Sequence, residues 1–489
     1  MDNDILNSLS QYLPSAYKNR FVDQNQKIKK DLKILLETVL NILYNYVNYF
    51  KGKIPEKGWS KIQINYFLYL LSLFECNNID GPGLGEREGR VYSSLIENVS
   101  YGFAHGMGRS GDLTAIQPKA LGSSVLSKLC NKLILNLIRL SGIKSCKTCF
   151  VCPMATGMSM MLVLLSFKKM KTHAKYCIWS RIDQKSCFKC IVNAGLIPII
   201  IENELVDDEL RTNIPQIKHE IENLGKDNIL CIISTTSCFS PRAHDRIDTI
   251  AKICQEYELF HMVNNAYGLQ SSKCCHLIET GNRTGRIDVF VQSCDKNLMI
   301  PVGGSIIAGF SKKLVNEISS AYVGRASNTP SIHLCITLLE MGVQKYLELL
   351  KNRKQMYTYL HQAIQNVAQD FGEKLLEIPH NSISMAMTIT TKNTSKNVTE
   401  LGGYLYNCNV TGVRVIDKKS TKKIENTFFL GYGSHCNNYP YSYVTVAAAI
   451  GQTTQEIDSF IKKFRKSYFK WTTSAKTDCR ILENNQDSD

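Results

Sequence analysis

The sequence predicts an α/β protein built on a mainly parallel seven-stranded sheet, with a helical N-terminal extension and a smaller α+β domain at the C-terminal end. Three observations predict it. After the glycine-rich break "GPGLGEREGR" at Gly81–Arg90, short apolar runs alternate with amphipathic stretches, the pattern of strands covered on both faces by crossover helices. Seven such runs occur in order: "CFVCP", "KYCIWS", "IPIIIE", "ILCIIST", "FHMVNN", "VFVQS" and "SIIAGF". From about Met341 the order changes to a long helix, "QKYLELLKNRKQMYTYLHQAIQNVAQDF", then strands "SISMAMTIT", "VRVID" and "TFFLGYG", then a closing helix "IDSFIKKFRKSYFKW".

The elements divide the chain into an extension at 1–85, an α/β domain at 86–340, an α+β domain at 341–475 and a tail at 476–489. Within the extension, Leu32–Phe50 places apolar side chains around most of a helix. That stripe is too broad for one buried face and predicts packing against another chain. The polar ending "ENNQDSD" is expected to be disordered. At 44% hydrophobic residues the chain reads as globular, and it has neither a basic-then-apolar leader nor an apolar run long enough to span a bilayer. A soluble, cytoplasmic protein with no membrane partner is the expectation.

Eighteen cysteines without an export signal read as reduced thiols. "CKTCFVC" (Cys146, Cys149, Cys152) and "CFKC" (Cys187, Cys190) carry the two-residue spacing of metal sites. The first, however, reads as a buried strand in which cysteine serves as a small hydrophobe, so no metal is expected. The formal charge of +15 is spread over several lysine and arginine clusters, which suits a polyanion, nucleic acid being the commonest.

"VQSCDKNLMIPVGG" sets Lys296 between a polar approach and a glycine pair. A solvated lysine needs no such setting, whereas a Schiff-base lysine does. A pyridoxal-phosphate enzyme also needs a helix N-terminus for the cofactor phosphate and a group facing the pyridine nitrogen. "MATGMSMML" offers Ala155, Thr156 and Gly157 just after a strand. "HMVNNAYG" puts Asn264 where fold-type I pyridoxal-phosphate enzymes end a strand on the aspartate that meets the ring. An amide makes the ring a weaker electron sink, better suited to expelling a good leaving group than to transamination. "HGMGRSGDLTAIQPKA" formally satisfies GxGxxG, yet no clear strand precedes it. Arg109, Ser110 and Gln117 read instead as a loop gripping a phosphoryl group, and "GRASNTPS" adds Arg325 as a second anion clamp.

Taken together, "GEREGR", "HGMGRSGD", "QPKALGSS", "PMATGMS", "RIDQKSCFK", "STTSCFSPR", "NNAYGLQSSK", "DKNLMIPVGG" and "SHCNNYP" resemble the eukaryotic and archaeal O-phosphoseryl-tRNA:selenocysteinyl-tRNA synthases, from about Ser15 to Phe469. These are the selenium transferases of selenocysteine formation. The resemblance implies that Lys296 bears the internal aldimine of pyridoxal 5'-phosphate, that Ala155, Thr156 and Gly157 hold its phosphate, and that Gln184 lies by the ring. It also implies that Asn264 faces the ring nitrogen and that Arg87 contributes to the cofactor site. The family's phosphate loop corresponds to Gly108–Pro118, so Arg109, Ser110 and Gln117 would bind the substrate phosphoryl group, with Arg325 assisting. Glu86 matches a filter whose carboxylate repels a free amino acid's carboxylate but not an aminoacyl ester.

For nucleic acid, the resemblance implies a tRNA(Sec) carrying phosphoserine, not DNA, met by Lys51, Lys53 and Arg283. Where the family can carry an arginine that reads a base near the tRNA end, Cys408 stands before "NVTGVRV", so that contact is missing or comes from another residue. Selenophosphate as the selenium donor and a homotetramer are further implications. Two other readings stand beside this one: a pyridoxal-phosphate lyase or sulfur transferase on a related substrate, and a non-catalytic tRNA-binding protein. Glu86, the phosphoryl loop and the charge argue against a free amino acid, and Lys296 with the anion-binding residues argues against lost catalysis.

Overall fold

All seven apolar runs form strands of one sheet. In the computed structural model, which describes residues 52–78, 82–390 and 397–473, these are β1 (Thr148–Cys152), β2 (Tyr176–Ser180), β3 (Ile197–Ile201), β6 (Ile229–Thr235), β7 (Phe260–Asn264), β8 (Val289–Ser293) and β9 (Ser305–Gly309). A small hairpin, β4 (Glu204–Val206) with β5 (Glu209–Arg211), interrupts the series. The stripe Leu32–Phe50, Lys51 and the tail at 476–489 lie outside the described residues.

The sheet order is β1-β9-β8-β7-β6-β2-β3. Only β9 runs against its neighbours, pairing antiparallel with both β1 and β8; the other pairs are parallel. Every residue of β6, β8 and β9 is buried, because helices cover both faces, and this is why the strands read as continuous apolar runs. Successive side chains enter opposite layers. Val151, Val263, Ile306 and Ala308 join the core under the helices Leu121–Leu140 and Thr329–Phe371. Phe150, Cys152, Met262 and Ile307 join the core under the helix Thr156–Met170.

The same alternation decides how the cysteine motif behaves. Cys149 lies in the first layer and Cys152 in the second. A two-residue spacing on a strand points the two thiols to opposite faces, so this pair cannot close on one ion.

The C-terminal part is a three-stranded antiparallel sheet, β10 (Ser384–Thr388), β14 (Tyr443–Ala447) and β11 (Arg414–Ile416), with β14 in the middle. Helices Glu400–Asn407 and Thr454–Thr473 and the second half of Thr329–Phe371 bury its apolar face. A hairpin, β12 (Thr421–Ile424) with β13 (Thr427–Leu430), inserts Phe429 edge-on to Trp179 and Phe188 of the large sheet's layer. Sequence reading found β10, β11 and β13 but not β12 or the central β14. Among the described residues no helix is long and apolar enough to cross a membrane.

Candidate active site

Ligands in open α/β sheets bind beyond the carboxyl ends of the parallel strands, and here the ends of β1, β2, β6, β7 and β8 converge on a cavity of about 380 Å³. Lys296 lines it. The lysine follows β8 on the one-turn helix Cys294–Leu298, and two side chains fix that turn. Asn297, 1% exposed, donates to the carbonyls of Ala266 (2.9 Å) and Ser293 (2.7 Å) and accepts from the Leu269 N–H (3.1 Å). Gln270 donates to the carbonyl of Lys296 itself at 3.1 Å. The ammonium sits 5.9 Å from the centre of the Tyr267 ring, on its face.

Opposite, β1 turns at Ala155 into the helix Thr156–Met170. Ala155 is the N-cap and provides no side-chain hydrogen bond, so the first-turn N–H groups are left to a ligand, as a phosphate requires. Thr156 and Gly157 line the cavity. A Cβ at Gly157 would stand 2.9 Å from the Ser186 Cβ, so the approach of the two segments that shapes this cradle depends on glycine. These features match a phosphate-bearing cofactor with an aldehyde for the lysine. Gln184, after β2, and Asn264, ending β7, also line the cavity.

Sequence reading missed Arg414, which arrives from β11 of the C-terminal sheet. Its guanidinium stacks 3.7 Å from the Phe239 ring centre and donates to the Gln184 amide oxygen at 3.0 and 3.1 Å. Burial lowers its pKa, and nearby Tyr267 opposes that. Arg414 stands inside "NVTGVRV", and Tyr267 inside "HMVNNAYG"; both were in view as motif members without a role.

A buried ionic frame holds these loops. Arg181 pairs with Asp183 and Glu202, each at 2.9 Å, and Arg242 pairs with Asp245 at 2.7 Å. Asp183 accepts from the N–H groups of Gly433 and His435, while its own N–H donates to Nδ1 of His435 at 2.8 Å. Burial drives His435 down to about 3, keeping the ring neutral and able to accept.

The remaining predicted residues gather elsewhere. The loop that carries Arg109 is pinned by Met107 N–H to the Ala326 carbonyl (2.9 Å) and closed by reciprocal bonds between Arg109 and Asp112 (2.9 and 3.0 Å), leaving Ser110 at an exposed tip. Gly106 makes the approach possible: its φ is 72°, and a Cβ would lie 2.3 Å from the Ala326 carbonyl oxygen. Gln117 is tied through its N–H to Ser124 Oγ at 3.1 Å. Arg325 donates to the His105 carbonyl. Burial first, then Arg87, pulls its pKa down; Arg109 adds to this and Glu75 opposes. Among the described residues none of Arg87, Arg109 and Arg325 is in an ion pair with a carboxylate.

This arginine group does not line the Lys296 cavity. Glu86, Arg87, Arg283 and Lys53 are exposed. Cys408 is half-buried at the end of the helix Glu400–Asn407, where its sulfur accepts from Ser467 Oγ at 3.5 Å.

The scaffold is that of the fold-type I pyridoxal-phosphate enzymes. A sphingosine-1-phosphate lyase of Burkholderia pseudomallei shares it at TM-score 0.56 with 9% identity, covering 90% of this chain and 91% of that one, a likeness of fold alone. The profile of the family described as O-phosphoseryl-tRNA(Sec) selenium transferase, SepSecS, matches residues 75–469. The O-phosphoseryl-tRNA(Sec) selenium transferase of Dictyostelium discoideum is 44% identical over 474 residues, 93% of this chain and 97% of that one. The crystal structure of the archaeal O-phosphoseryl-tRNA(Sec) selenium transferase superposes at TM-score 0.80 with 31% identity, covering 91% and 98%. The chain belongs to the O-phosphoseryl-tRNA(Sec) selenium transferase family.

Proposed function

We propose that this protein converts O-phosphoseryl-tRNA(Sec) to selenocysteinyl-tRNA(Sec), with selenophosphate as the selenium donor. One observation carries the reading: Lys296 in a cavity beside a helix N-terminus without a side-chain cap, together with three arginines outside that cavity that have no ion pair with a carboxylate among the described residues and suit a second phosphoryl group. Bound pyridoxal phosphate supplies a carbonyl for the substrate amine and an electron sink for the α carbon. The first-turn N–H groups at Thr156 and Gly157 hold its phosphate. The Lys296 amine takes the α proton and later returns one. Arg109, Ser110, Gln117 and Arg325 hold the phosphoryl group and stabilise charge as it leaves the β carbon. The selenium of selenophosphate then bonds to the vacated β carbon, and water takes up the phosphoryl group. Glu86 would turn away free phosphoserine, while Lys51, Lys53 and Arg283 meet the tRNA.

The arginines and the lysine come together between two copies of the chain. In the segment that carries Arg87, Leu84 (96% exposed), Tyr92 (107%) and Leu95 (69%) leave apolar side chains in solvent, as expected of a segment that another subunit covers. A homotetramer of two such pairs fits this arrangement.

The test is phosphate release in a single turnover, with enzyme in excess over phosphoseryl-tRNA or over free phosphoserine. Release from the ester alone, abolished in Lys296→Ala, is the expected result. Equal release from free phosphoserine would overturn the role of the tRNA.

A further inference from the structure

Asn264 ends β7 at the cavity wall, 4% exposed, with its amide held at both ends. Oδ1 accepts from the Ala266 N–H at 3.2 Å. A backbone N–H can only donate, so the oxygen end of the amide is identified by chemistry. Nδ2 donates to Sγ of Cys187 at 3.2 Å. Cys187 lies on the helix Lys185–Asn193 and lines the same cavity. Burial pushes its thiol up to about 11, with Lys296 pulling the other way, so the sulfur is a neutral acceptor near neutral pH. One hydrogen of Nδ2 remains, and among the described residues it has no second partner.

We propose that Cys187 is a positioning residue. Its sulfur, together with the Ala266 N–H, turns the Asn264 amide so that an N–H faces the cofactor's pyridine nitrogen and holds that nitrogen without a proton. The inference rests on the reading that pyridoxal phosphate occupies this cavity with Asn264 at its ring. An aspartate here would accept from a protonated ring; a fixed amide donor selects the opposite state. The protein thereby holds the ring as a weak electron sink, sufficient for a substrate whose phosphate is already a good leaving group.

The experiment uses holoenzyme reconstituted with pyridoxal phosphate labelled with ¹⁵N in the ring, comparing wild type, Cys187→Ser, Cys187→Ala and Asn264→Asp. Thermal unfolding confirms that each variant is folded. The ring nitrogen should resonate in the unprotonated range in wild type and move to the protonated range in Asn264→Asp. Cys187→Ala should raise the cofactor dissociation constant about tenfold, the scale of one lost hydrogen bond. Cys187→Ser, which keeps an acceptor, should lie closer to wild type. Uptake of cofactor with a protonated ring nitrogen in wild type overturns this proposal alone, as does a Cys187→Ala protein unchanged in affinity and resonance, or a serine variant no better than alanine. A wild type that takes up no cofactor overturns the parent reading and this one with it.

Discussion

At the residue scale, function rests on side chains whose settings are unusual for their type. Lys296 stands on a turn that Asn297 ties to the rest of the fold through three hydrogen bonds. Lys296→Ala should therefore leave the fold intact, with circular dichroism unchanged, while phosphate release falls below detection. Gly157→Ala presses a methyl group against Ser186 at 2.9 Å. Spectroscopic titration should show cofactor affinity weakened about tenfold, equivalent to about 1.4 kcal/mol. Arg325→Ala or Arg109→Ala should slow single-turnover phosphate release about 10²–10³-fold, the effect of removing one donor that stabilises developing charge. A variant that slowed release less than threefold would remove that arginine from the phosphoryl site.

At the element scale, the strands carry the core and the loops that follow them carry the ionic frame. Asp245 accepts from Ser180, Thr212, Arg242 and the Thr235 N–H, all within 2.8 Å. Asp245→Asn leaves the Arg242 charge buried without its counter-ion, and urea unfolding at fixed protein concentration should register a loss of about 3–5 kcal/mol. The long helix Thr329–Phe371 breaks at Gly342, whose φ of 64° admits a close approach of residues 55–58. We propose the division of the chain at 340/341 on this ground. All seven strands of the large sheet were legible in the sequence because each is mainly apolar; six are almost wholly buried, and the edge strand β3, largely part-buried, is apolar throughout. The central β14, "YVTVA", was missed among polar and small neighbours. Arg414 was missed for another reason: it meets Gln184 across 230 residues of chain, and its strand is three residues long. No local pattern records a contact that only tertiary packing creates.

At the scale of the whole molecule, acid should act through buried histidines. Burial lowers His435 to about 3 and His261 to about 4. Below the ordinary value of about 6.5 the unfolded chain binds protons that the folded protein refuses, so this contribution to stability is full above about 6.5 and is lost as pH falls toward 3. Glu75, raised to about 7 by burial, works in the opposite sense between about 4.5 and 7. The histidine share is therefore read as a difference: urea midpoints of His435→Asn should fall less steeply between pH 6.5 and 4 than those of wild type. The proposed two-copy site makes its own prediction. Mixed oligomers of Lys296→Ala and Arg109→Ala chains should regain activity well above that of either homo-oligomer, whereas no recovery would place both residues in sites formed by one chain.

Gln270 joins these scales. Its Nε2 donates to the Lys296 carbonyl at 3.1 Å, and its Oε1 accepts from the Ile450 N–H at 2.9 Å, a residue just past β14. One planar amide thus serves as a strut of fixed length between the lysine's turn and the C-terminal sheet. Shifting that sheet outward must stretch one of the two bonds, so the width of the cavity and the seat of Lys296 are gauged by the same side chain.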